Sequence, residues 1–175
     1  MTSVPDHARR VAATAEAFEA SMARFLWRVE RASDADAERV PPDGGWSVAG
    51  IAWHVAVTNE QFAALVDGSV PLANPPEPDF RETPFFEITA LVPGKLEAPD
   101  KLHPPEGVTK GEALARARAS QARLSKALRD MPESRGLWSV RSILGQVTLY
   151  QVAEWATVHV ARHNAQAKRL IYNSQ

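Results

Sequence analysis

Apolar residues recur at helical spacing through the first thirty positions: Val11, Ala15, Phe18, Met22, Phe25, Leu26 and Val29. That spacing lines one wide face of a helix and predicts a first helix from about Pro5 to Ala32. "SDADAERVPPDGG" interrupts the pattern with charge, proline and glycine, and predicts a loop. The pattern resumes in "WSVAGIAWHVAVTNEQFAALVDG", with Val48, Ile51, Val55, Phe62 and Leu65 on one face. Ser47 is suited to cap this second helix and Gly68 to close it. Most of the thirteen prolines fall between residues 69 and about 108. Proline removes donors and fixes φ, so this stretch predicts a long connection rather than a helix. Within it "FFEITALV" suits a short strand or a helical turn, and Phe80, Phe85, Phe86 and Leu91 are expected to pack it on the rest. Thr109 followed by Glu112 forms a capping box for a third helix that runs to Pro132. After the loop "PESRGLWSV", a fourth helix is expected from near Ser139 to about Ile171, with Gly145 tolerated inside it.

Four helices with one long crossover between the second and third predict an all-α four-helix bundle, up-down-down-up, in a single domain over residues 1–175. The short links predict that helices 1 and 2, and helices 3 and 4, are antiparallel neighbours. "GGWSVAGI" and "GLWSVRSIL" both place Trp-Ser-Val at an expected helix start, where the indole can staple the first turn.

Composition narrows the chemistry. The net charge of −1 exerts no general pull on nucleic acid or an acidic membrane surface. No run is long and apolar enough to span a bilayer, no signal-peptide pattern opens the chain, and a cytoplasmic location is the expectation. There is no cysteine, which excludes disulfides, thiolate ligands and a cysteine nucleophile.

Histidine is the informative residue. His7 in a polar context and His103 in a proline-rich loop are expected at the surface. His54 sits among apolar neighbours in "IAWHVAV", which suggests an inward position. His159 and His163 stand four apart in "EWATVHVARHNAQ", so their Cβ atoms lie about 6 Å apart on one helix face. Two such imidazoles can chelate a divalent ion, although position 160 is Val160 and the zincin glutamate is missing. His54 from a contacting helix would complete a three-imidazole site with open positions. Such a ligand set suits Zn, Ni, Fe(II) or Co rather than Mg or Ca. Gln61 and Gln166, and also Glu60 and Glu154, are candidates to orient an imidazole N–H. Arg162 is expected to meet a carboxylate or the helix surface, and Trp53 and Trp155 to pack the core.

"WSVAGIAWHVAVTNEQF" and "EWATVHVARHNAQAKRL" together resemble the second and fourth helices of the DinB/YfiT-like metal-binding bundles. The "KLEAPDKLHPPEG" run resembles the connection before the third helix in one branch of that family. The resemblance implies a metal held by His54, His159 and His163, and a homodimer. It also implies, for part of the family, thiol-dependent S-transfer on a small molecule. Two functions follow as expectations. One is a metal-dependent enzyme acting on a small molecule with a low-molecular-weight thiol. The other is a non-catalytic, stress-related bundle that binds a metal or ligand. A third reading, three ordinary core histidines, must bury three polar rings without a shared purpose, which costs free energy.

Overall fold

A computed structural model of the chain describes residues 7–42, 44–90, 97–142 and 145–172. Four long helices dominate it: α1 (His7–Arg31), α3 (Val48–Asp67), α5 (Lys110–Asp130) and α7 (Leu149–Tyr172). Three short helices, α2 (Asp34–Glu38), α4 (Phe85–Ala90) and α6 (Glu133–Gly136), sit in the connections. The boundaries follow local chemistry. The Ser47 hydroxyl accepts from the Gly50 N–H at 3.0 Å to open α3. Gly68 ends that helix with φ +83°, a left-handed conformation that glycine adopts without a Cβ penalty. Thr109 and Glu112 exchange hydrogen bonds in a capping box at the start of α5.

The fourth helix starts later than the periodicity predicts. It is preceded by an antiparallel hairpin of two strands, β1 (Ser139–Ser142) paired to β2 (Gly145–Thr148). Gly145 opens β2 at φ +86° instead of sitting in a helix. Thr148 then begins α7 through a reciprocal pair: its N–H donates to Gln151 Oε1, and the Gln151 N–H donates to its hydroxyl. That is the S/T-x-x-E/Q capping pattern, and it competes successfully with an earlier helix start. Asn74 exchanges two backbone hydrogen bonds with Ser139, so the crossover adds to the hairpin edge.

Side-chain pairs give the helix directions. Glu60 meets Arg116 and Asp67 meets Arg123, so α3 and α5 run parallel. His7 meets Tyr150, Arg10 meets Glu154 and Arg28 meets Asn164, so α1 and α7 run parallel. Glu19 pairs with Arg129 and Glu30 with Arg118, so α1 and α5 are antiparallel. The tightest packing is of α3 on α5 and of α1 on α7, not between the helices joined by short links. Small buried residues explain the first contact: Ala49, Ala52, Ala56 and Ala63 of α3 face a partner carrying Ala113, Ala117 and Ala127. Small side chains let two helix axes approach. The core proper is built on Phe18, Met22, Phe25, Ile51, Leu124, Leu128 and Leu149, all fully buried.

The crossover is anchored differently from expectation. Phe80 and Phe85 are half-buried as expected, but Phe86 is exposed, and Ile88 is the residue that α4 buries. Leu91 and the helical positions expected before His7 lie outside the described residues. Polar bonds also hold the segment. Arg10 forks onto Glu82, Thr148 donates its hydroxyl to Glu82, and Gln151 donates to the Thr83 carbonyl.

Candidate metal centre

His54 lies in the second turn of α3, and His159 and His163 lie one turn apart on α7. Antiparallel α3 and α7 bring the three together, and all three are buried. Ring centroids are 5.1 Å apart for His54 and His159, 4.8 Å for His54 and His163, and 4.5 Å for His159 and His163. Their Nε2 atoms converge: His159 Nε2 is 3.2 Å from His54 Nε2 and 3.2 Å from His163 Nε2.

The outer nitrogens explain what the inner ones present. His54 Nδ1 lies 3.0 Å from the Leu102 carbonyl. A carbonyl only accepts, so the proton sits on Nδ1 and the Nε2 of the neutral ring is a bare lone pair. His163 Nδ1 donates to Gln166 Oε1 at 2.9 Å, with the same consequence at its Nε2. At least two lone pairs therefore aim at one point, an arrangement that a cation relieves. Two nitrogens about 2.1 Å from one ion and about 100° apart would be separated by roughly 3.2 Å, so each of these two pairs is spaced as ligands of one ion are. The donor set fits too, because three neutral imidazoles suit a borderline transition ion and leave positions open.

Electrostatics favour the neutral rings. Burial pushes the His54 imidazole below its ordinary value, against the Leu102 hydrogen bond. His159 lies well below, first through burial and then through its two histidine neighbours and Arg162. His163 is pushed down to about 4, again first by burial and then by His54. Near neutral pH no proton competes with a metal at these nitrogens.

The other expected residues are placed as follows. Gln166 is against His163. Gln61 makes no hydrogen bond to any of the three rings; it lines a surface groove with Val57, Ala64 and Leu65. Glu60 is engaged by both Arg116 nitrogens, and that guanidinium lies 4.3 Å over the Trp53 ring. Glu154 is taken by Arg10. Arg162 and Trp155 are half-buried. His103 is exposed and bonds the Ala98 carbonyl. His7, expected in solvent, instead bonds the Tyr150 hydroxyl at 2.6 Å, because α1 and α7 start side by side.

Two contributors to the site had no clear sequence signal. Trp46, expected only to staple a helix, lies with its ring 4.6 Å from that of His54 and edge-on to His103. The Leu102 carbonyl belongs to a 3-10 turn (Asp100–Leu102) at the end of the crossover. A backbone acceptor has no residue-type signature, so nothing in the side chain of Leu102 marks it.

A family model described as the DinB superfamily matches residues 17–167, most of the chain. No curated protein and no solved structure matches it.

Proposed function

We propose, for a chain that belongs to the DinB superfamily, that His54, His159 and His163 hold one divalent transition ion, Zn, Ni or Fe(II), for work on a small molecule. The observation that carries this is the convergence of three buried Nε2 atoms whose outer nitrogens are, for two rings, tied so that the inner lone pair is free. When bound, the ion supplies Lewis acidity at its open positions, enough to lower the pKa of a coordinated thiol toward neutrality. The finer proposal is S-transfer from a low-molecular-weight thiol to a small electrophile. The chain contains no cysteine, so the sulfur nucleophile comes from the cosubstrate. The residues around the rings orient and shield. Leu102 and Gln166 fix two tautomers, Trp46 covers His54, and Phe62 packs its ring edge on His159. As part of the same proposal, the protein works in the cytoplasm as a homodimer, without nucleic acid or membrane.

A second reading, a non-catalytic metal- or ligand-binding bundle, is favoured by one observation. Glu60 and Glu154 are held by arginines, so neither stands at the rings as a general base. Two measurements decide. Elemental analysis of the purified protein should find about one transition ion per chain, lost in His159→Ala. Metal-loaded protein given a thiol and an electrophilic dye should turn over, and His54→Ala should not. Metal without histidine-dependent turnover for any common bacterial thiol selects the binding module. Metal retained in His159→Ala ends the three-histidine metal site in both readings.

A further inference from the structure

Two of the three rings have a partner on the outer nitrogen. The third does not: His159 Nδ1 is buried and has no hydrogen-bond partner among the described residues. A ring that offers Nε2 to a metal carries its proton on Nδ1, and that N–H then needs an acceptor.

The geometry of α3 narrows where the acceptor is. The His159 ring packs on α3 at two points, 5.1 Å from His54 and 6.2 Å from Phe62 by ring centroids. Residues 54, 58 and 62 form one stripe along the helix, each four from the next. Thr58 is therefore the α3 residue between the two points that His159 touches. Thr58 is 6% exposed, and its hydroxyl also lacks a partner. It does not even make the bond back to the carbonyl four residues earlier that buried helical threonines commonly use. Two buried polar groups left unpaired both cost folding free energy, and pairing them removes both penalties.

Of the other buried orphans among the described residues, Arg135 Nε can only donate, Ser125 is on α5, and the remaining three belong to residues whose other polar atoms are engaged elsewhere. Asn59 is turned to Met22 of α1. The Thr157 backbone carbonyl meets Ser21 of α1, which puts Thr157 on the far side of α7. Glu154 is held by Arg10.

We infer that Thr58 is the positioning residue for His159. Its hydroxyl accepts the Nδ1–H proton, directly or through one bridging water, as the Leu102 carbonyl and Gln166 do for the other rings. The inference rests on the reading of the three rings as metal ligands. It adds to the site an α3 residue that lies between His54 and Phe62, one turn from each.

The test uses Co2+ as the probe, with affinity read by competition against a chelator in wild type, Thr58→Val and Thr58→Ser. Thr58→Val keeps the shape and removes the hydroxyl, and should weaken Co2+ by about 10-fold or more. Thr58→Ser should restore most of the loss. Equal affinity in Thr58→Val and wild type overturns the assignment, and so does a Thr58→Ser as weak as Thr58→Val, which would report packing alone. A wild type that binds no Co2+ overturns the metal reading along with this one. Imidazole nitrogen NMR of the Zn2+-loaded wild type needs no variant to fold. The His159 Nδ1–H should be present, shifted downfield and slow to exchange. An unprotonated Nδ1 there, or one whose proton exchanges freely, overturns the inference.

Discussion

In metal-free protein, His163 should impose an acid instability that can be removed by one substitution. Its folded pKa is about 4 against an ordinary 6.5, with burial as the main cause and His54 as the second. As pH falls below 6.5 the unfolded chain takes up this proton, while the folded chain resists until about 4. Within that window the unfolded state binds more protons, so stability is full above it and is lost as pH falls. The gap corresponds to about 3 kcal/mol in all, of which about 2 kcal/mol lies between pH 7 and pH 4.5. Little of this is lost to solvent screening, since His163 is only 9% exposed. His54 and His159 are shifted in the same direction and add to the effect. Carboxylates held low, such as Asp67 and Glu112, also lose stability in acid, but they do so equally in a His163 variant. The comparison is therefore wild type with His163→Gln, both stripped of metal, by urea unfolding at about pH 7 and about pH 4.5. His163→Gln should lose about 2 kcal/mol less on acidification than wild type does. Identical acid losses in the two proteins would refute the claim that this ring is buried and neutral in the folded state.

Three further outcomes follow from single contacts. A Cβ at Gly136 would fall on the Tyr150 ring, so Gly136→Ala should lower the melting temperature by an amount equivalent to about 2 kcal/mol or more and break the His7–Tyr150 contact. Glu82→Gln removes the charge that Arg10 forks onto and should cost about 1–3 kcal/mol, with faster proteolytic cleavage inside residues 69–108. Removing the capping hydroxyl in Thr109→Ala should cost about 1 kcal/mol by urea unfolding and leave metal content unchanged.

Much of the bundle was legible along the chain because helix signals are short-range. The stripe from Val11 to Val29, the Ser47 and Thr109 caps and the Gly68 stop each involve residues within a few positions, and each is found where its pattern indicates. The β1–β2 hairpin departs from the expected helix because its signals are weaker than a longer helical period. Those signals were Gly145, the β-branched Val140 and Val147, and the pair Thr148 and Gln151, spaced for a cap. Aromatic packing of the crossover is the expectation from composition, but one ion pair and hydrogen bonds to Glu82 and Thr83 also hold it, and which groups meet depends on a fold that composition does not contain.

The histidines divide along the same line. Spacing alone put His159 and His163 on one face of a helix and gave His54 apolar neighbours that suggest burial. Whether the three rings meet was a tertiary matter, decided by the antiparallel course of α3 against α7, which places turn two of one opposite the middle of the other. Tertiary structure also chose the Leu102 carbonyl over Gln61 as a ring partner and laid Trp46 on His54. The reason is physical. A helix face is written in residues three and four apart, but a site between helices depends on how the chain returns, and contacts about 50 or 100 positions apart have no local period to reveal them.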